Sequence, residues 1–528
     1  MIFLIYISLG IIASIIAFVS YILILYPIFR FSQMKRKYGD KVKVFFSIGQ
    51  GILKFYNQDL ANKNDSIAFI RNMHEPNLKA IAFNFGTKVG FSFVDPELQK
   101  QVLQNPHSYS KVDGPMAITF LFANSIAYAT EKEWKRQRLF LGKSFHFEEI
   151  KNYFPLIIET CQKTIKKIDQ KLIERETINI QILKTCQEIT SEVSFKVFFG
   201  SNNENLTIIT RKDGSSTTIS NELVQVLIDS YYLFQTDKVA LIKWILLKRK
   251  STSFFLTKGE EQLLNRLKAL RQACTAIVSK RKEELTQDRL LAKKNFLDQY
   301  IIEMAQNENS GITYDEIIDN FSAIYLAGTD TTSNMAGVAL YYLSLYPEIQ
   351  QQAREEVIKV LSVKLKENKT DQLFSLLAFE DLQNLNLINS ILKESLRLMP
   401  PAIQSQTKFA NQDIKIGEFD VKKGDLVTNH FSYNLSNPEV FPNPDVFNPN
   451  RWMAANIHNE MANFTPFSQG PRNCIGQHLA MIEGKCILAS LLLQYEILPN
   501  PAEKVVRQMR IVYGFQYDNL VYFKKINV

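Results

Sequence analysis

The residues with the clearest chemical potential lie near the C-terminal end, in Phe467-Ser-Gln-Gly470-Pro-Arg472-Asn-Cys474-Ile-Gly476. A helical pattern follows, through Leu479 and Ala480 toward Leu493. This places Cys474 at a helix start, where the dipole and unpaired N–H groups favour a thiolate. Arg472 adds positive charge and can also reach an anionic ligand. Gly470 and Gly476 let the backbone turn tightly or pass close to a flat cofactor. A thiolate that ligates haem iron needs such surroundings. The competing readings are a structural cysteine, or a zinc ligand paired with His478. A closed zinc site would need two more ligands, and the neighbouring sequence offers none.

A second group is Ala327-Gly328-Thr329-Asp330-Thr331-Thr332, inside a long helical pattern. That pattern opens with a capping box at Thr313-Tyr-Asp-Glu316 and continues to Pro347, about 33 residues or roughly 50 Å. Poor helix formers and a carboxylate sit where propensity favours Ala and Leu. Asp330 and Thr331 could hold water and relay protons. The threonine could equally bond back to a carbonyl one turn earlier and bend the helix. Glu394 and Arg397 share a face of the segment Leu387 to Met399, which Pro400-Pro401 terminates. By itself such a pair is a weak surface ion pair. Trp134 and Arg138, at i and i+4, also face one way.

The elements that must position these groups follow from composition. The chain has 528 residues, 46% of them hydrophobic and 22% charged, with 37 Phe and 21 Tyr. That is core material for a large globular body without disulfide staples. The five cysteines (Cys161, Cys186, Cys274, Cys474, Cys486) form no CxxC pair, which speaks for a reducing compartment. A net charge of +9 comes from short clusters, not from the concentrated stripe that nucleic-acid binding requires. Residues 2–29 carry no charge and are long enough to span a bilayer; the basic residues Arg30, Lys35, Arg36, Lys37, Lys41 and Lys43 follow. This reads as a retained signal-anchor whose C-terminal side is cytosolic. The expected division is 1–29 anchor, 30–50 basic linker and 51–528 catalytic domain. Gly200 to Ser220 reads as a loop, and Asp413 to Val427 as a small sheet. Val239 to Lys250 reads either as a core-packed helix or as a second membrane contact with Trp244 at the interface.

The pattern Phe467, Gly470, Arg472, Cys474, Gly476 resembles the haem-binding signature of the cytochrome P450 family, FxxGxRxCxG. Further motifs stand in family order from about Trp134 onward. Ala327-Gly328-Thr329-Asp330-Thr331 resembles the oxygen-activation motif AGx[DE]T, and Glu394 with Arg397 the ExxR pair, completed by Arg451. The resemblance implies a mainly α fold with a smaller β portion, preceded by a single transmembrane helix. It implies haem b held by Cys474, with Trp134, Arg138, Phe467, Arg472 and Gly476 at the cofactor. Asp330 and Thr331 would serve proton delivery. A further propionate-binding arginine of the family aligns with Lys408, and the family's Pro-rich hinge after the anchor is missing apart from Pro27.

The implied activity is a monooxygenase that uses dioxygen and electrons from an NADPH-cytochrome P450 reductase, with cytochrome b5 as another candidate donor. No flavin or iron–sulfur motif lies in the chain itself. Lys132, Lys135 and Arg136 are expected to form the docking patch. The endoplasmic reticulum is the expected membrane, with the catalytic domain facing the cytosol. The expected substrate is an apolar small molecule; Phe120, Phe122, Ile324 and Ile403 are candidate pocket residues. Two other readings remain: a haem-thiolate isomerase or dehydratase, against which Thr331 argues, and a non-enzymatic haem sensor or carrier.

Overall fold

The computed structural model describes residues 2–47, 53–111, 116–200, 208–210, 214–253, 255–287, 295–367, 373–454 and 457–526. The uncharged N-terminal run is helical throughout: α1 (Ile2–Ser20), a π turn (Tyr21–Leu25) and α2 (Tyr26–Tyr38). The helix is long and apolar enough to cross a membrane, and none of its apolar stretch is buried by the other described residues. Its last turns behave differently. Phe31, Met34 and Tyr38, at i, i+3 and i+7, bury one face against Val42, Phe91, Phe93 and Phe419.

The described part of the expected linker is therefore structured. Its basic residues turn to protein carboxylates: Arg30 to Asp425 at 2.7 Å, Lys41 to Glu418 at 2.9 Å, Lys37 to Asp420 and Lys43 to Glu75. The acidic partners come from distant segments, so nothing local in the sequence signalled them.

Six strands form the main sheet: β1 (Val42–Phe45), β2 (Ala80–Phe85), β3 (Lys88–Phe93), β4 (Tyr109–Lys111), β5 (Lys408–Ala410) and β6 (Leu426–Asn429). Their order is β1-β2-β3-β6-β5-β4. β1 lies parallel to β2 and β3 parallel to β6; the remaining pairs are antiparallel. The register of β4 on β5 sets Lys111 directly opposite Lys408. The expected small sheet over Asp413 to Val427 divides between the hairpin Ile414–Ile416/Phe419–Val421 and β6.

The larger layer is helical. Its members near the site are α3 (Met116–Leu121), α4 (Glu131–Gly142), α5 (Ile182–Phe199), α6 (Ile219–Thr236), α7 (Lys238–Leu247), α8 (Lys258–Gln287), α9 (Tyr314–Leu345), α10 (Asn386–Leu398) and α11 (Gln477–Leu492). The hairpin β7 (Arg507–Met509) and β8 (Tyr513–Phe515) closes the fold near the C-terminus. α9 is the axis, packed by α5, α6, α8, α10 and α11. Thr313 caps it by accepting from the Glu316 N–H at 3.1 Å. Glu316 does not return the bond; its carboxylate pairs with Arg136 instead. Gly200 to Ser220 includes a short hairpin, Ile208–Thr210 with Ser216–Thr218, and otherwise partly lies outside the described residues.

Trp244 is not at a membrane interface. It is buried on α7 against Phe85 and Phe234, because its wide ring completes the contact between α7 and β2. Val239 and Ile242 of the same helix are exposed.

Removing residues 2–25 should move the protein from a carbonate-resistant membrane pellet to the supernatant while it stays folded. Extending the deletion through residue 38 removes Phe31, Met34 and Tyr38, each of whose burial stabilises by about 1.5–3 kcal/mol. A lowered unfolding temperature for the longer deletion alone is the expected result.

Candidate active site

The cysteine loop is built by backbone geometry. The Cys474 N–H donates to the Phe467 carbonyl at 2.9 Å and the Asn473 N–H to the Gly470 carbonyl at 3.1 Å. Ser468 and Gly470 both take positive φ, +63° and +76°. Gly470 has a second requirement, since a Cβ there would lie 2.6 Å from the Leu103 carbonyl oxygen. The loop then runs into α11, whose N-cap is Gly476. The Cys474 side chain keeps accessible surface although protein surrounds it, whereas Cys161, Cys186, Cys274 and Cys486 are buried. Burial pushes the Cys474 thiol upward, opposed by the Gly476 N–H donating to sulfur and by the nearby Arg138 charge.

The expected cofactor residues meet at this loop. Arg138 on α4 donates to the Asn473 carbonyl at 2.9 Å and to its side-chain oxygen at 2.7 Å. Trp134, one turn earlier, lies buried under the Arg472 guanidinium, 4.5 Å from the ring centroid. Among the described residues, Arg472 otherwise donates to the Ala129 carbonyl alone, at 3.4 and 3.5 Å.

Lys408 is 7% exposed and lies 5.5 Å from the Tyr109 ring. Burial, then Arg472, pull its pKa down to about 8. Lys111, which sequence reasoning missed, is pulled well below its usual range by burial and by Arg472 and Lys408. No motif marks Lys111; only the β4–β5 register reveals it.

Arg138, Arg472, Lys408 and Lys111 form no ion pair among the described residues. Like charges directly opposite on neighbouring strands are destabilising. Converging cations of this kind fit a group bearing carboxylates, as the two propionates of haem do. The donor set therefore suits haem: a thiol backed by an N–H, an indole and cations for the propionates.

The middle of α9 carries the other expected pair, on different sides. Ala327 and Thr331 are accessible and share a face at i and i+4, and the Thr331 hydroxyl donates to the Ala327 carbonyl at 2.7 Å. Asp330 turns toward α5, where Gln187 Nε2 donates to its Oδ1 at 3.3 Å. Burial raises its carboxyl to about 6, with Arg510 of the β7–β8 hairpin opposing the shift. α5 braces this region closely: Thr190 donates to the Thr329 carbonyl at 3.0 Å, and a Cβ on Gly328 would lie 3.2 Å from Ser194 Oγ. Gln187 and Arg510 gave no local sequence signal, since each matters only through its neighbour on α9.

Glu394 is fully buried on α10 and accepts five hydrogen bonds. Arg397 donates twice at 2.9 and 3.0 Å, Arg451 at 3.0 Å, the Trp452 indole at 2.9 Å and the Asn448 N–H at 3.0 Å. Trp452 packs at a tilt against Phe464, three residues before Phe467, with ring centroids 4.5 Å apart. The i,i+3 pair is thus a buried brace for the cysteine loop, not a surface ion pair.

Two expectations need correction. Arg136 is not a free docking residue, because its guanidinium is held by the buried carboxylate of Glu316. Lys132 and Lys135 of that patch are exposed, and Lys135 pairs with Glu131 at 2.9 Å. Of the candidate pocket residues, Phe122, Ile324 and Ile403 are buried in the core, and Phe120 is half-buried beneath Arg271.

A mainly helical body with a side sheet, closed around an accessible cysteine and converging cations, defines a haem-thiolate class of protein. The family model described as Cytochrome P450 matches residues 51–515. The chain is 26% identical to cytochrome P450 CYP72A219 of Panax ginseng, over 79% of this chain and 76% of that protein. It is 27% identical to 7-deoxyloganic acid hydroxylase of Catharanthus roseus, over 78% and 75%. It is 25% identical to cytochrome P450 4c21 of Blattella germanica, over 82% and 83%. The chain belongs to the cytochrome P450 family, an oxidoreductase family of monooxygenases whose cofactor is haem b.

Glu394→Gln should leave Arg397 and Arg451 buried without a counter-charge, at a cost of about 3–5 kcal/mol. Thermal unfolding should start lower, and haem should be lost faster to a haem-scavenging protein.

Proposed function

We propose that this protein is a single-pass, membrane-anchored monooxygenase of the endoplasmic reticulum, its catalytic domain facing the cytosol. It inserts one atom of dioxygen into a largely apolar organic substrate. Electrons come from a separate NADPH-cytochrome P450 reductase, with cytochrome b5 as a further donor. The observation that carries the reading is the convergence of Arg138, Arg472, Lys408 and Lys111 around the Cys474 loop without carboxylate partners. Haem bound there supplies thiolate-ligated iron, at which dioxygen is activated.

The chain's own residues have distinct tasks in this reading. Cys474 ligates, and the Gly476 N–H steadies negative charge on its sulfur. Arg138, Arg472 and the two lysines hold the propionates, and Trp134 keeps Arg472 in place. Asp330, raised to about 6 and oriented by Gln187, can take a proton from solvent and release it near neutral pH. Thr331 spends its own proton on the Ala327 carbonyl, so its oxygen is free to accept from an incoming water or acid. Glu394, Arg397 and Arg451 hold the loop rigid and touch no reactant. The exposed Lys132 and Lys135 offer a donor protein positive charge for encounter, without Arg136.

Haem-loaded protein with added reductase should take up oxygen dependent on NADPH, and its reduced-plus-CO spectrum should carry the thiolate band. Cys474→Ser should abolish both; a carrier or sensor would bind haem without the uptake, and an isomerase would turn over without NADPH.

The pH dependence has a definite sign. The Asp330 carboxyl is protonated below about 6 and ionised above it, and only the protonated carboxyl holds a proton to deliver. Turnover should therefore fall as pH rises through about 6. Asp330→Asn should lower turnover about a hundredfold and flatten that limb. Superimposable profiles for the two proteins would remove Asp330 from proton delivery.

A further inference from the structure

Arg30 is the first charged residue after the apolar run, and it is bonded to Asp425 at 2.7 Å. Arg30 stands where the helix leaves the bilayer, so the chain at Asp425 lies within one side chain of that level. The neighbouring segment has a fixed direction. Moving away from the apolar run, Arg30 meets Asp425, Lys37 meets Asp420, and Lys41 meets Glu418. The Tyr38 hydroxyl also accepts from the Asp420 N–H at 2.8 Å. Arg30 to Lys37 rises about 10 Å along α2. Residues 418–425 therefore descend toward the membrane as the helix climbs from it, and the turn 422–424 is their lowest part.

A second basic residue reaches the same level. β3 runs parallel to β6 with Gly90 opposite Leu426, so Lys88 is level with Gly424. A Cβ on Gly424 would lie 3.7 Å from the Lys88 Nζ. Lys422 and Lys423 are exposed, and Lys88 is half-exposed. Asp425 is occupied by Arg30 and by the Lys422 N–H at 2.9 Å. Asp413 pairs with Lys422 at 2.8 Å and accepts from the Lys423 N–H at 2.8 Å. Among the described residues the side chains of Lys88 and Lys423 form no ion pair. Four cations (Arg30, Lys88, Lys422, Lys423) thus meet two carboxylates at this edge, and the surplus faces the bilayer.

We propose that Lys88, Lys422 and Lys423 form a contact surface for the anionic headgroups of the bilayer that holds the anchor. This rests on the membrane-anchored reading and adds a lipid preference to it. The basic groups divide their work. Arg30, Lys37 and Lys41, which follow the apolar run, are spent on protein carboxylates and fix the height of the domain. The lysines brought in from β3 and the turn meet the lipid. An anionic leaflet attracts such charges only within about 10 Å, so the Arg30–Asp425 bond is what makes them effective. An acidic protein would have to enter between this edge and the bilayer, where that bond leaves little height.

The test uses the full-length, haem-loaded protein in nanodiscs of phosphatidylcholine with a minority of phosphatidylserine. A donor dye on Gln412→Cys, an exposed position beside Asp413, reports energy transfer to acyl-chain-labelled phosphatidylserine or to phosphatidylcholine with the same label. The wild type should show the serine lipid enriched about fivefold or more at the dye, and the enrichment should shrink as salt rises. Lys88→Gln/Lys422→Gln/Lys423→Gln should bring the ratio close to one with an unchanged unfolding temperature, and Lys132→Gln/Lys135→Gln should retain it. If the triple variant unfolds early, Lys423→Glu alone should still lower the ratio, since its side chain has no ion pair to lose. A wild-type ratio near one, a preference that survives these substitutions, or no transfer to either lipid overturns the proposal. A triple variant that keeps the lipid preference but loses reductase-driven turnover assigns the patch to a protein partner and overturns it as well. Failure of the membrane-anchored reading is visible separately, as wild-type protein released from membranes by carbonate; the proposal then falls with it.

Discussion

A single carboxylate, that of Glu394, is the constraint on which the cysteine loop depends. It has no contact with solvent, and five N–H groups from two chain segments converge on it. Isolated, a buried carboxylate is costly; fully paired, it permits essentially one arrangement of Arg397, Arg451 and Trp452. Arg397 also holds the Leu435 and Val446 carbonyls, so the chain before the loop is fixed as well. Trp452 then transmits that rigidity through Phe464 toward Phe467. A strained loop with two positive-φ residues can persist when its surroundings over-determine it.

Around that rigid frame, the unbalanced charges describe the ligand. A protein seldom places lysines opposite each other on paired strands without an anion to receive them. Lys111 and Lys408 meet because β4 and β5 pair in one register, while Arg472 and Arg138 arrive from the loop and from α4. The resulting field suits propionates; burial first, and the Arg472 charge second, lower the Lys408 pKa to about 8. On the other side of the site α9 supplies fewer charges. Its middle carbonyls accept from the side chains of Thr331, Ser333, Asn334 and, across the helix contact, Thr190. Carbonyls diverted in this way bend a helix locally and make room beside it.

How much of this was legible beforehand depends on how local each signal is. The Cys474 loop, the α9 motif and the Glu394–Arg397 pair are short patterns whose chemistry belongs to the residue types themselves. The Thr313 cap and the Pro400-Pro401 stop likewise act within a few residues. Arg136 looked like its exposed neighbours Lys132 and Lys135, and its partner, the buried Glu316, lies 180 residues away. The basic run after the anchor was similar: its charges suited a membrane surface, while Arg30 and Lys41 meet acidic residues more than 370 positions distant. Trp244 was amphipathic by type, and only the packing of α7 on β2 decided that it is buried.

Thus the sequence by itself determined the apolar N-terminal helix, the cysteine loop, the α9 motif and the family, because each is written in residues whose spacing along the chain is the message. Tertiary structure alone decided which charges remain unpaired among the described residues and which basic residues stay exposed. Those properties are sums over neighbours from distant segments. Strand register and helix packing bring these neighbours together, and no window along the chain contains them.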